Sequence, residues 1–262
     1  MKIEFAEILM HPAMILALIF GLDLLFGDPV YRLHPVRLIG KLLTWYENRL
    51  RKIGLDGKFG GILLVLLLLA SSLVIGWSIF YLLASLHWSL GWLWSVYLGW
   101  SFLALSDLLQ HAKHVATAIK EADLAEAKRQ VGMLVGRDTK QMDLAACGRA
   151  AVESVSENLN DGVIAPLCYF CFFGIPGMLF YKVVSTLDSM VGYRNERYQD
   201  FGWCGARFDD LLSWIPARLS WLLLSGSATL FPGLSGINAF RVGWQDYSKL
   251  PSPNAGWCEA TA

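Results

Sequence analysis

Charge is scarce in this chain. Asp, Glu, Lys and Arg make up 17% of its 262 residues, and 22 basic side chains balance 22 acidic ones, so no nucleic-acid partner is expected. The five cysteines are an odd number without framework spacing, which gives no disulfide scaffold. Cys168 and Cys171 form a C-x-x-C inside an apolar run that offers no His or acidic neighbour. Neither a zinc site nor a thioredoxin-like pair follows from it, and buried reduced thiols are expected instead. Phosphate-loop chemistry is excluded as well, because Gly57-Lys58-Phe59 lacks both the spacing and the hydroxyl of G-x-x-x-x-G-K-[ST]. The dinucleotide fingerprint, G-x-S-x-G and H-E-x-x-H are absent too, as are internal repeats and low-complexity tracts. Only Lys2 precedes Glu4 and Glu7, and no small-residue cleavage site follows. The N-terminus is therefore expected to remain as an anchor and not to leave as a signal peptide.

What the chain has is apolar length. Hydrophobic residues make up 55% of it, 11 residues are Trp, and the mean hydropathy is +0.44, which points to an all-α, polytopic integral membrane protein. Residues 62–84 carry no charge and exceed the ~20 residues that cross a hydrocarbon core of about 30 Å. Residues 88–109 form a second run, with Trp88, Trp92 and Trp94 at one end and Asp107 at the other, as an interfacial aromatic belt would be arranged. Residues 13–26, 163–184 and 214–234 are weaker, interrupted by Asp23, by Gly174-Ile-Pro-Gly177 and by Arg218. Basic residues gather in two connections, from Arg32 to Lys58 and from Lys113 to Arg149. The positive-inside rule places both in the cytoplasm. The expectation is a single membrane domain over 1–262, with a cytoplasmic helical region at about 106–162 and an active site facing the cytoplasm at the inner membrane.

Residues 106–135 read as one amphipathic helix, with Leu108, Val115, Ile119, Leu124, Val131 and Leu134 as its stripe. His111 and His114, three apart, are read as surface residues. The 136–139 turn ends that helix, and Asp138 or Thr139 is the expected N-cap of the next. On that next helix Arg149, Glu153 and Glu157 follow at i, i+4, i+8, with Ser156 and Asn160 in the same arc. A metal ion, a phosphate or an ammonium group would each find partners there. Gly174 to Gly177 predicts either a kinked span or a segment that enters and returns, since broken helices are tolerated at membrane depth where protein or water covers the freed backbone.

Four polar clusters abut apolar segments: Asp28, Arg32, His34 and Arg37 on a stiff proline-flanked loop, residues 136–139, the Glu153, Glu157, Asn158, Asp161 helix end, and residues 188–218. Carboxylates hold Mg2+ together with phosphate substrates, and arginines clamp phosphate or carboxylate with two prongs. The residues alone indicate a cytoplasmic site of acids and arginines that handles phosphate.

Residues 22–29 (LDLLFGDP), 34–36 (HPV), 135–139 (VGRDT), 149–154 (RAAVES), 157–158, 160–162 (NDG), 186–197 (TLDSMVGYRNER), 209–210, 214–218 (WIPAR) and 252–257 (SPNAGW) together resemble the adenosylcobinamide-phosphate synthase family of cobalamin biosynthesis, CbiB or CobD. The resemblance implies an integral membrane enzyme that joins the carboxylate of adenosylcobyric acid to (R)-1-aminopropan-2-ol or its O-phosphate, with ATP and Mg2+. On that basis Glu153, Glu157 and Asp161 are candidates for metal or ammonium, and Arg137 and Arg194 for phosphate. Asp188 or Glu196 would deprotonate or orient the amine. Asp28, His34, Arg37, Asp138, Asn158, Asn195, Asp209, Arg218 and Asn254 would bind substrate, and the corrinoid would lie in a groove lined by Tyr193, Tyr198 and Trp203. Association with other corrinoid-pathway enzymes is a further expectation. Family members usually run on past SPNAGW with another apolar segment, so this chain reads as C-terminally shortened, with lowered turnover expected. The alternatives are a secondary transporter, which Asp23 and Arg218 paired at membrane depth would favour, and a non-enzymatic membrane sensor sharing the fold.

Overall fold

The computed structural model describes residues 11–28, 31–136, 138–250 and 252–262. Arg137 and the N-terminal Lys2, Glu4 and Glu7 lie outside them. The described residues are helical throughout, without strands, and fall into two compact units: residues 1–103 with 166–212, and residues 104–165 with 213–262.

In the first unit, α1 (Pro12–Phe26) starts on His11, whose Nδ1 accepts from Ala13 N at 3.3 Å, with Pro12 at the first helical position. It stops at Gly27, which has φ 63°. Helix α2 (Pro35–Lys52) also opens on a proline. It buries Ile39, Leu43, Glu47 and Leu50 along one face and ends in Arg49, Arg51 and Lys52, cations that suit the negative end of the helix dipole. Helix α3 (Lys58–Leu86) carries no charge beyond Lys58. At about 1.5 Å per residue it is long enough to cross a bilayer. Only 33% of its most apolar window is buried, and Ile62, Leu66, Val74, Ile75 and Leu82 face outward, a surface stable in lipid and not in water. His87 ends α3 and caps α4 (Trp88–Ser101), whose Trp94 indole donates back to the Gly76 carbonyl at 3.1 Å.

The expected run over 88–109 is two pieces. Helix α4 stops at Ser101, Phe102 and Leu103 are buried, and α5 (Leu105–Lys120) begins a new helix with Asp107 in its first turn. The 214–234 run is likewise shortened to α10 (Trp214–Ala228). Two helical runs among the described residues remain long and apolar enough to span, Lys58–Leu86 and Leu144–Val191.

The second of these includes α8 (Ala165–Val191), which is broken at Gly174 (φ 63°, ψ −154°) with Pro176 just beyond. The Tyr169 and Tyr181 rings stack at 5.2 Å, although twelve residues of straight helix would hold them about 18 Å apart. A Cβ on Gly177 would come within 2.6 Å of the Tyr169 carbonyl oxygen. The two legs therefore fold back on each other, the returning form of the two expected from Gly174 to Gly177. Around the hairpin tip, Gly174, Ile175 and Pro176 share an apolar cavity of about 570 Å³ with Pro12, Gly76 and Trp94. The second leg leads to a turn at 193–202 and then α9 (Trp203–Leu212). All five cysteines are free, but Cys171 is exposed on the first leg and not buried as expected.

The second unit contains α5, α6 (Leu124–Leu134) and α7 (Leu144–Leu159), packed around Val115, Ala118, Ala127, Val131, Cys147 and Ala150. The stripe read over 106–135 is buried at Leu108, Val115 and Val131, but the helix is interrupted. Ala122 adopts φ 55°, and Asp123 caps α6 by accepting from Glu126 N at 2.9 Å. Neither Asp138 nor Thr139 caps α7. Asp143 does so, accepting from Ala146 N at 2.6 Å, while Asp138 accepts from Lys140 N inside the preceding turn. A π-helical turn (Asn160–Ile164) follows α7 directly. Helices α10, α11 (Gly236–Asp246) and α12 (Ala255–Thr261) surround Trp221 and Trp257, and α12 also packs on α7.

Gly174 occupies a backbone region essentially closed to other residues. Gly174→Ala is expected to destabilise the protein by about 1–3 kcal/mol, read as a lower unfolding temperature in detergent. Gly226→Ala, in helical backbone with open space around it, is the control and should leave that temperature unchanged or slightly higher.

Candidate functional site

Most of the sequence-predicted residues fall into three groups, one in the second unit and two in the first. In the second unit, α7 puts Glu153 and Glu157 one turn apart on one side, with Glu157 and Asn158 exposed and Glu153 half-buried. Asn158 Nδ2 donates to the Ser154 carbonyl at 2.8 Å. The π turn then carries Asn160 and Asp161, whose side chains bond at 2.7 Å, Nδ2 to Oδ1. Glu157, Asp161 and Glu259 all bear on the buried Cys258 thiol. Burial first, and then these carboxylates, push that thiol up to about 12. Helix α12, which carries Cys258 and Glu259, packs on α7. Among the described residues no three His, Cys, Asp or Glu side chains converge as a closed metal cage. His111 and His114 belong to no such group either.

The 252–257 motif sits beside these acids within the same unit. Ser252 Oγ accepts from Asn254 N and Ala255 N, each at 3.2 Å. Gly256 lies against the Tyr247 carbonyl, where a Cβ would overlap it. Trp257 stacks on Tyr247 at 4.1 Å. Arg218 lies over Trp214 (4.0 Å) and Trp257 (4.9 Å) and donates through Nη1 to Trp214 O at 2.6 Å and to the buried Asn254 Oδ1 at 3.4 Å. Arg218 is thus engaged by an amide, a carbonyl and two rings of its own unit.

In the first unit, buried His34 pairs with Asp28 at 2.8 Å and meets Tyr31 edge-on. Tyr31 bonds to Tyr97 at 2.7 Å, and Trp100 donates to Gly27 O at 2.9 Å, so Gly27 and Tyr31 are each fastened to α4. Arg37 stands exposed one turn into α2. On the other side of the unit, Tyr193, Arg194, Tyr198, Trp203, Arg207 and Asp210 line a cavity of about 350 Å³. Asp210 is 3.4 Å from Arg207. Burial pushes its carboxyl above the usual range, against the opposing pull of Arg207 and Arg194. The three aromatic residues expected to line a groove do line it, but its size lies near the lower end of the ~300–1,000 Å³ that encloses a drug-sized ligand.

Asp188 lies against the Gly192 backbone at the end of the hairpin's second leg. Asn195 Oδ1 accepts from Arg197 N and Tyr198 N, each at 3.1 Å, so its amide caps the turn. Glu196 is exposed, and Asp209 is partly buried on α9.

Sequence reasoning missed Glu47. Its carboxylate, 5% exposed, accepts from Arg51 Nε at 2.9 Å and Arg197 Nη2 at 3.1 Å. Arg51 in turn donates to Arg197 O at 2.9 Å and lies over Phe201 at 4.3 Å. The available signal was an acid placed within the apolar stripe of an amphipathic helix, where burial demands partners.

A family profile described as CobD/Cbib protein matches residues 14–262. The "Cobalamin biosynthesis protein CobD" of Geobacter metallireducens is 47% identical over 241 residues, covering 92% of this chain and 76% of that protein. The CobD protein of Photorhabdus laumondii is 41% identical, with the same coverage. The "Cobalamin biosynthesis protein CbiB" of Salmonella arizonae is 40% identical over 91% of this chain and 76% of its own length. No solved structure matches. Fold and relatives together define an all-helical membrane enzyme. The chain belongs to the CobD/CbiB family, the adenosylcobinamide-phosphate synthases of cobalamin biosynthesis.

Removing a buried carboxylate strands the cations that faced it. Glu47→Ala is expected to lower the melting temperature and to speed tryptic cleavage after Arg194 and Arg197, with Glu47→Gln milder on both counts. Unchanged melting and cleavage would show that the turn at 193–202 holds itself.

Proposed function

We propose that the chain carries out ATP-dependent amide formation between a corrinoid carboxylate, that of adenosylcobyric acid, and (R)-1-aminopropan-2-ol or its O-phosphate. The site would face the cytoplasm of a multi-pass inner-membrane protein. The observation that carries this reading is the carboxylate-bearing end of α7, where Glu153, Glu157 and Asp161 are presented by one helix and its π turn.

A carboxylate and an amine do not condense in water without activation. Phosphoryl transfer from ATP to the corrinoid carboxylate would give an acyl phosphate and ADP. The amine then adds to the carbonyl carbon, the C–O bond to phosphate breaks, and inorganic phosphate and a proton leave. Mg2+ held by Glu157 and Asp161, with Glu153 beside them, would neutralise phosphate charge. Arg194 and Arg207 suit a phosphate by charge and by two-pronged geometry, and Tyr193, Tyr198 and Trp203 offer aromatic faces to a nucleobase or to the corrinoid edge. Asp188 or Glu196 would hold or accept the ammonium proton. The Asp28–His34 pair, Arg37, Asp138, Asp209, Arg218 and Asn254 are assigned to substrate contact or to its support, and Arg137 is kept in the phosphate set on its sequence motif alone.

The returning hairpin of α8 would bring the 192–202 segment to the side of the membrane that holds Lys58. Single cysteines at Ser189 and Gln199, in a background without the native five, should react with an impermeant thiol reagent from the cytoplasmic side. Labelling only from outside would overturn that topology.

Membranes supplied with adenosylcobyric acid, either amine and ATP should form the amide, and omission of ATP should abolish it. Glu153→Gln and Glu157→Gln keep shape without charge, and each should lose most turnover while still inserting. Normal turnover in both would reduce this helix face to a solvated surface. Arg194→Lys should raise the KM for ATP or for the phosphorylated amine, since an ammonium cannot reproduce a forked contact.

A further inference from the structure

In the second unit, α10 and α11 form a hairpin whose exposed surface is apolar and takes no part in the chemistry above. The two helices run antiparallel and meet through Trp221, whose ring lies 4.3 Å from Phe240 and 5.7 Å from Trp244 and whose indole donates to Phe240 O at 3.1 Å. A turn at 229–235 joins them. No charged residue occurs between Arg218 and Arg241. Over that stretch Leu222, Leu223, Leu230, Phe231, Leu234 and Ile237 are 49–79% exposed, and Leu230, at the tip, is the most exposed large hydrophobic side chain among the described residues. A contiguous apolar surface of this kind marks an interaction site.

Length excludes a crossing. Helix α10 has 15 residues and α11 has 11, about 22 and 16 Å at 1.5 Å per residue, and neither reaches the ~20 residues that cross a core of about 30 Å. The uncharged part of α10, residues 219–228, rises about 15 Å, half of that core. The two ends of the hairpin suit different depths. At the base stand the exposed indoles of Trp214 and Trp244, the side chain that settles at a membrane–water boundary. Arg241 is exposed and has no acidic partner among the described residues, so its charge complements anionic headgroups. Toward the tip the polar groups answer to one another. The Ser227 and Thr229 hydroxyls donate to Leu224 O at 2.9 Å and Gly226 O at 2.6 Å, and Ser235 Oγ accepts from Asn238 N at 3.3 Å. Leu230 N and Leu234 N donate to Ser227 O at 2.9 Å and Phe231 O at 3.2 Å, and Pro232 has no N–H to place. Internal pairing of this kind is the condition for irregular backbone to enter hydrocarbon.

We propose that α10 and α11 form a membrane-entering hairpin, with the 229–235 tip in the hydrocarbon of one leaflet of an anionic bilayer and both ends on the same face, in place of the crossing read from residues 214–234. The order of side chains along the hairpin, a cation and indoles at the base and bare apolar carbon at the tip, follows the layers of a bilayer and selects lipid over a second copy of the chain. The inference rests on the membrane character of the protein and not on its chemistry. An active enzyme with a wet tip would lose this inference alone.

The test uses the full chain with its native cysteines replaced, in vesicles of phosphatidylethanolamine and phosphatidylglycerol. A nitroxide on Leu230→Cys should relax with oxygen and escape a water-soluble nickel chelate, at a depth of about 15 Å from the rise of the uncharged part of α10. A nitroxide on Ser248→Cys, exposed just beyond α11, should show the reverse preference. Nickel contact at Leu230 overturns the proposal, whether the tip lies on the near surface or has crossed to the far one, and so does the same preference at both sites. Should the cysteine-free chain not fold, Phe231→benzoylphenylalanine in the otherwise native chain gives the reading. Photoadducts with lipid acyl chains support the proposal, whereas cross-links to a second copy of the chain, or no lipid adduct, overturn it.

Discussion

Gly174, at φ 63° and ψ −154°, turns what would be a single long apolar helix into two legs that pack on each other through Tyr169 and Tyr181. In lipid every backbone N–H and C=O released by such a break must find cover, and the tip at Gly174 lies among Pro12, Gly76 and Trp94. The base of the hairpin is equally constrained. Tyr169 donates to Leu212 O at the end of α9 at 3.0 Å, and Phe180 meets Phe208 edge-on. The placement of Asp188, the 193–202 turn and α9, and with them the Arg194 cavity, follows from one backbone angle that a side chain would forbid.

Close backbone approach continues the same logic toward the site. Gly61 on α3 lies against the Phe201 carbonyl, and Gly202 against the Val191 and Tyr198 carbonyls, where a Cβ would overlap. With its backbone seated this tightly, the turn still needs its cations fixed, and Glu47 does that from inside the apolar face of α2. Glu47 and Asn160 are both buried polar groups. Glu47 is met by Arg51 one turn along its own helix and by Arg197 from the 193–202 turn, and Asn160 is met by Ser220 from α10. Satisfaction by partners distant in sequence makes these points costly to disturb one member at a time.

How much of this could be read beforehand varied with how local its cause is. The α8 break was legible because Gly and Pro act on their own backbone. The α7 face was legible because i, i+4 spacing is a property of the helix itself. The single helix expected over 106–135 failed because its apolar stripe resumes after the turn, so the pattern spans the Ala122–Asp123 interruption. The 88–109 run failed for a similar reason, since Phe102 and Leu103 are apolar but buried between helices. Asp138 and Asp143 competed as caps with equal chemistry, and only the turn through Lys140 distinguishes them. The π turn at Asn160–Ile164 has no local marker at all, because its contacts come from Ser220 and Ala104.

The SPNAGW segment separates recognising a motif from knowing its role. Its residues are largely occupied with one another and with Arg218: Ser252 with the backbone of Asn254 and Ala255, Gly256 with Tyr247, and Trp257 with Tyr247 and the guanidinium. Arg218 spends Nη1 on Trp214 O and Asn254, while Nε and Nη2 keep hydrogens for a further acceptor. A guanidinium clamped between two indoles has lost most of its rotamer freedom already, so an anion meeting it incurs little of the ordering cost that a mobile arginine would. The rigidity that the motif gives this one side chain is therefore what sets Arg218 apart from the exposed Arg37.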